Sequence, residues 1–169
     1  MPYTVPVSFD KFLENISLTG DHNETATARK DRIVSLLQNA FTILDAFPTG
    51  SISNGTALRA QADLDVMVVL HWSKHVEGKN PEQVLQGVRD ALGDYRTNVR
   101  KNGQAVTLYY DSWPNVDVVP VSRCRNDDGT INYYSVPDMN SGKWLKSVPA
   151  GTRTPSPTRR TRADPDSSR

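Results

Sequence analysis

The stretch Asp63-Leu64-Asp65-Val66-Met67-Val68-Val69-Leu70 limits the fold more than any other part of the chain. Beyond Asp65 it is apolar at every position and rich in β-branched residues, the composition of a strand buried inside a sheet. A strand of that kind needs partners on both edges and cover on its faces, and the flanking sequence offers both. Upstream, Ile33, Leu37, Ala40, Leu44 and Phe47 recur at steps of four and three, which predicts a long helix over 21–47 that stops at Pro48. Downstream, Asn80 caps a second helix over Pro81–Leu92, with Val84, Leu85, Val88 and Leu92 on its inner stripe and Gly93 at its end. Three further strands are expected over 105–110, 116–121 and 131–136, the last two joined through the turn-forming Asn126-Asp127-Asp128-Gly129. Helix, strand, helix and then a strand meander make an α+β fold: a mixed, largely antiparallel sheet with helices on one side.

At 169 residues the chain fits one domain,. Lys+Arg number 20 against 19 Asp+Glu, so no dominant field names a polyanionic or polycationic partner,. The longest apolar run, Val66–Leu70, is far short of the ~20 residues that span a bilayer, and the first residues lack a basic segment followed by an apolar one. A cytoplasmic protein with no membrane partner is expected. Cys124 stands alone and cannot form an internal disulfide, and His22, His71 and His75 lack zinc-site spacing,. Near Ala150 the composition changes to Arg, Thr, Ser and Pro, so residues 1–149 read as the folded core and 150–169 as a disordered tail.

Chemistry is carried by three carboxylates. Asp63 and Asp65, two apart on a strand, project from the same face with Cα atoms roughly 7 Å apart. Asp117 lies in Asn115-Val116-Asp117-Val118-Val119-Pro120, an acidic side chain inside a strand that otherwise favours burial. Brought together, the three could flank two Mg²⁺ or Mn²⁺ ions about 3.5–4 Å apart. Taken singly, each is more ordinarily a strand-end or edge residue; the conjunction with Gly50-Ser51 shifts that balance. Gly50 permits close approach of backbone to a phosphate, and Ser51 supplies a hydroxyl and an amide at the start of a short helix. Trp72, Trp113 and Trp144 read as packing anchors, His71 and His75 as loop residues, and Arg59 as a solvated side chain.

Gly50-Ser51-Ile52-Ser53-Asn54-Gly55-Thr56-Ala57, followed by Asp63-Leu64-Asp65-Val66 and Val116-Asp117-Val118-Val119-Pro120, resembles the catalytic core of the polymerase-β nucleotidyltransferase superfamily. Within it the chain is similar to the bacterial cGAS/DncV-like enzymes, the second-messenger oligonucleotide or dinucleotide synthetases. The Gly-Thr-Ala element, the long helix before Gly-Ser, and Tyr133-Tyr134-Ser135-Val136-Pro137-Asp138 leading to Gly142-Lys143-Trp144-Leu145 fit that subgroup. The resemblance spans roughly Ser8 to Pro149. It implies an enzyme that joins nucleoside triphosphates, ATP or GTP among them, into a cyclic di- or oligonucleotide that activates an effector protein in antiphage defence, with no nucleic acid required. It makes Gly50 and Ser51 the triphosphate contacts and Asp63, Asp65 and Asp117 the metal ligands, with Asp117 helping to activate the attacking hydroxyl. Family members continue into a helical lobe that closes over the nucleotides. Here the likeness stops near Pro149, so a truncated or frame-shifted version lacking that lobe is expected, with metal binding outlasting turnover. A minimal antitoxin-type nucleotidyltransferase that modifies a partner protein, and a catalytically silent triphosphate-binding module, are the alternative readings.

Overall fold

The computed structural model describes residues 5–53, 56–58, 62–96 and 98–148. Gly55, Arg59 and the tail expected over 150–169 lie outside the described residues. The elements run α1 (Val5–Ile16), α2 (Gly20–Leu37), β1 (Ile43–Thr49), α3 (Gly50–Ser53), β2 (Leu64–Leu70), α4 (Trp72–His75), α5 (Pro81–Gly93), β3 (Val99–Asn102), β4 (Ala105–Leu108), β5 (Val116–Arg125), β6 (Ile131–Asp138) and β7 (Lys143–Ser147). One seven-stranded sheet has the order β1-β2-β5-β4-β3, with β6 paired to β5 and β7 paired to β6. Only the β2–β5 pair is parallel among these pairings; the others are antiparallel. The fold is thus the expected mixed α+β arrangement.

Alternation along β2 and β5 divides the sheet into two unlike faces. Leu64, Val66, Val68 and Leu70 of β2 join Val116 and Val118 of β5 and Val106 and Leu108 of β4 in the main core. That core is covered by Ile33 and Leu37 of α2 and by Val84, Leu85, Val88 and Leu92 of α5, which places both helices on one side. The helix over 81–93 forms as its sequence predicts: Asn80 and Gln83 exchange 2.9 Å hydrogen bonds in a capping box,. On the opposite face a smaller cluster of Val69, Val121, Tyr134 and Val136, backed by Phe47, Met67 and Val119, covers the far end of the strands. Among the described residues the near end, where Asp65 and Asp117 lie, has no such apolar cluster.

The helix expected over 21–47 is corrected in its second half. It ends at Leu37, and Ala40, Leu44 and Phe47 are not on it. The Phe41 amide still donates to the Leu37 carbonyl at 2.8 Å, after which the chain turns and returns as β1, antiparallel to β2. Pairing to an interior strand overrides the helical spacing, and Leu44, on the expected buried stripe, is 48% exposed,. Pro48 sits within β1 opposite Val66; among the described residues β1 is an edge strand, where a missing amide is tolerated,. The strands β3 and β7 and the helix α1 are also additional to the expected elements. Among the described residues no helix is long and apolar enough to cross a membrane.

His75 ties β1 to the segment after β2. Its Nε2 accepts a 2.8 Å hydrogen bond from the Thr42 amide, and its ring meets Phe41 edge-on with centroids 5.1 Å apart. Burial first, then the charges of Lys79, Lys74 and His71, lower its pKa. The folded value thus lies below the unfolded one of about 6.5, so its contribution to stability is complete above about pH 6.5 and is lost as the pH falls further. Urea midpoints measured across that range should drop for the wild type, and His75→Gln, which keeps an acceptor but does not titrate, should show a shallower fall.

Candidate metal and nucleotide site

The two acidic strands meet in register. In the parallel β2–β5 pair Asp65 stands opposite Asp117, and Val66 opposite Val118, with neighbouring strands about 4.8 Å apart. Both carboxylates project from the face away from the helices, and both residues are half-buried. Burial raises the pKa of Asp65, and the charges of Asp117 and then Asp63 raise it further. A carboxylate crowded by two others is an anionic pocket, and positive charge placed there is favoured.

Each of the other two acids has its own support. Asp117 Oδ1 accepts a 2.5 Å hydrogen bond from the hydroxyl of Thr107, which faces it across the β4–β5 ladder and is itself buried. Asp63 lies one residue ahead of β2 rather than within it, exposed, and its Oδ1 accepts from the Asn115 side-chain amide at 3.2 Å. Thr107 and Asn115 are site residues that sequence reasoning missed. Asn115 directly precedes the acidic strand, which was a signal; Thr107 carried none, since a threonine in a strand is ordinary.

Gly50 closes the site from above. Thr49, the last residue of β1, pairs with Asp65, so the chain leaves the sheet directly over that carboxylate. Gly50 turns with φ at +69°, and a Cβ on it would come within 2.0 Å of Asp65 Oδ2. No other residue type fits both the turn and the contact. The short helix α3 follows, with the Ser53 hydroxyl donating to the Gly50 carbonyl at 3.0 Å and the Thr56 amide to the Ser51 carbonyl at 3.0 Å. Beside it is a cavity of about 260 Å³, with Thr27 and Lys30 of α2 facing Ile52 and Ser53.

The donor set consists of carboxylate oxygens, which suits a hard cation such as Mg²⁺ or Mn²⁺ over a softer one. Among the described residues, no three His, Cys, Asp or Glu side chains converge as they stand to enclose one ion. Asp65 and Asp117 form the crowded pair, and Asp63 is turned to Asn115. The chemistry of these carboxylates fits such a cation. His71 and His75, read as loop residues, instead flank and end a short helix: His71 precedes α4, and His75, its last residue, is committed to Thr42. Of the tryptophans, Trp113 donates to the Ala62 carbonyl at 2.7 Å and Trp144 to the Lys79 carbonyl at 3.3 Å, whereas Trp72 is exposed.

The sequence profile of the Second Messenger Oligonucleotide or Dinucleotide Synthetase domain matches residues 3–157. No curated protein sequence matches the chain. Among solved structures, the CD-NTase CdnG of Bradyrhizobium diazoefficiens in complex with GTP superposes with a TM-score of 0.66 at 18% identity, over 79% of this chain and 41% of that one. The CdnC:HORMA-deltaN complex of E. coli MS115-1 gives 0.59 at 22% identity, over 83% and 46%. A STING-associated CdnE c-di-GMP synthase from Capnocytophaga granulosa gives 0.61 at 14%, over 79% and 44%. These likenesses establish the fold, and the chain spans less than half the length of each of the three.

Two outcomes test the geometry. Gly50→Ala should lower unfolding free energy by roughly 1–3 kcal/mol through backbone strain and the displaced carboxylate, whereas Gly20→Ala, where an added Cβ meets nothing within 4 Å, should be near neutral; equal effects would contradict the close approach. In a carbon-13 NMR titration, Asp117→Asn should move the Asp65 midpoint downward, because a like charge that raises it is removed.

Proposed function

This chain belongs to the Second Messenger Oligonucleotide or Dinucleotide Synthetase domain family, the cGAS/DncV-like nucleotidyltransferases, and from that premise we propose that it is the catalytic core of a metal-dependent nucleotidyltransferase. It joins nucleoside triphosphates, ATP or GTP among them, into a cyclic di- or oligonucleotide second messenger with release of pyrophosphate. The product activates an effector protein in cytoplasmic antiphage defence. The observation that carries the reading is the pairing of Asp65 with Asp117 in register directly under Gly50. Proteins of similar fold have been solved with ATP and with GTP, which supports triphosphates as the ligand class.

In this reading Gly50 and Ser51 receive the triphosphate, the glycine because it lets backbone approach the phosphates and the serine through its hydroxyl and amide. Asp63, Asp65 and Asp117 would hold two divalent ions. When bound, such ions lower the pKa of an attacking hydroxyl and neutralise charge on the leaving phosphates. A ribose hydroxyl then attacks the α-phosphorus in line: the new oxygen–phosphorus bond forms as the bond to the β-phosphate oxygen breaks, and pyrophosphate carries away the electron pair. Asp117, whose orientation Thr107 sets through its hydrogen bond, would assist deprotonation of that hydroxyl. Asp65 lies between Asp117 and the glycine turn, able to serve both the attacking and the leaving ends.

Purified protein incubated with Mn²⁺ or Mg²⁺ and the four labelled triphosphates should form pyrophosphate and a nucleotide-linked product. Asp65→Asn and Asp117→Asn should each cut that product by roughly a hundredfold or more, the scale seen when one transition-state contact is removed. Equal product from wild type and both variants would remove the proposed role of the carboxylates.

A further inference from the structure

The segment 110–115, between β4 and β5, is fixed at both of its sides. Toward the site, the Asn115 carbonyl accepts from the Leu64 amide at 2.9 Å, its side chain donates to Asp63 at 3.2 Å, and Trp113 donates to the Ala62 carbonyl at 2.7 Å. Three bonds therefore join this segment to residues 62–64, the approach to β2. The Asn115 side chain is itself oriented, because its Oδ1 accepts from the Tyr110 amide at 3.1 Å.

Away from the site the same segment rests on Arg29 of α2. The guanidinium donates from Nη1 to the Ser112 carbonyl at 2.9 Å and to the Pro114 carbonyl, and from Nη2 to the Ser112 hydroxyl at 2.7 Å. Its carbon lies 3.9 Å from the ring centroid of Tyr110, and that of Arg96 lies 4.0 Å from the same centroid. The planar fork of arginine can bond several carbonyls and stack on a ring at once, which a lysine ammonium cannot do.

We propose that Arg29 is a positioning residue that sets the place of the Asp63 carboxylate through the segment 110–115. Asp63 is exposed and outside β2, so the ladder that fixes Asp65 does not fix it. Asn115 does so, and Asn115 is held in a loop whose carbonyls converge on Arg29. The inference rests on the reading of Asp63 as a metal ligand, and partners of that kind affect metal affinity by roughly 10–100-fold when removed.

The test measures Mn²⁺ binding by electron paramagnetic resonance in wild type, Arg29→Lys, Asn115→Ala and the double variant. Backbone amide hydrogen exchange is followed in the same proteins without metal. Asn115→Ala should weaken Mn²⁺ roughly tenfold, Arg29→Lys by a comparable factor, and the double variant no more than the stronger single one, as expected of two links in one chain of contacts. Exchange at Leu64 and Tyr110 should accelerate in Arg29→Lys while the α5 amides stay protected. Wild-type affinity in Arg29→Lys, or losses that simply multiply, would overturn the proposal. If wild type itself binds no Mn²⁺, the metal reading fails, and exchange at Leu64 and Tyr110 decides the positioning claim alone: unchanged protection there overturns it. Tyr110→Leu, which removes the ring beneath the guanidinium, replaces Arg29→Lys should that variant not fold.

Discussion

The parallel pairing of β2 with β5 is the constraint on which the rest depends, because its register decides where the acids go. Asp65 is opposite Asp117 only while Val66 is opposite Val118. Two unit charges about 5 Å apart repel by about 3 kcal/mol at an effective dielectric near 20, so on charge alone this register is unfavourable. Against it stand Leu64, Val66, Val68, Leu70, Val116 and Val118, all buried under the helices. Side chains of this kind contribute about 1.5–3 kcal/mol each, together on the order of 10 kcal/mol. A slip of one residue in either strand would turn its acid into that core and its valines out. Burial wins, and the repulsion is retained as an anionic pocket.

The two faces of the sheet divide the work. On one, α2 and α5 cover an apolar layer that fixes the strands; on the other, the smaller cluster around Val69, Val121 and Tyr134 covers only the far end. Among the described residues that leaves the near end without apolar cover beside Gly50, whose missing side chain is what lets β1 pass into α3 against the Asp65 carboxylate. Support then reaches outward in steps: Thr107 holds Asp117, Asn115 holds Asp63, and Arg29 holds the segment that carries Asn115. Rigid main-chain ladders position the inner two acids, and a loop tied to α2 positions the third.

Much of this was legible in the sequence where signals were local and unopposed. Asn80, Pro81 and the Val84/Leu85/Val88/Leu92 stripe specified α5 almost to the residue, and the valine runs around Asp65 and Asp117 marked their strands. The short helix at Gly50–Ser53 was expected from Gly-Ser, whereas Pro48, read as the stop of a helix, lies within β1. What failed did so because helical and strand periods coincide over short apolar runs: Ile43 to Phe47 fits either, and only the free edge of β2 selects a strand. The four-residue strand β3 and exposed β7 were too short or too polar to register. Thr107 was invisible because a threonine in a strand is ordinary, and Arg29 because its role depends on a contact 83 positions away, with Ser112.

The most direct test is a crystal of this chain grown with Mn²⁺ and a non-hydrolysable nucleoside triphosphate, with anomalous diffraction recorded for manganese. Two anomalous peaks about 3.5–4 Å apart are expected between the carboxylates of Asp65 and Asp117, with the phosphates against Gly50 and Ser51. Manganese bound elsewhere, or a triphosphate seated away from the Gly50 turn while this pair stays bare, would contradict it.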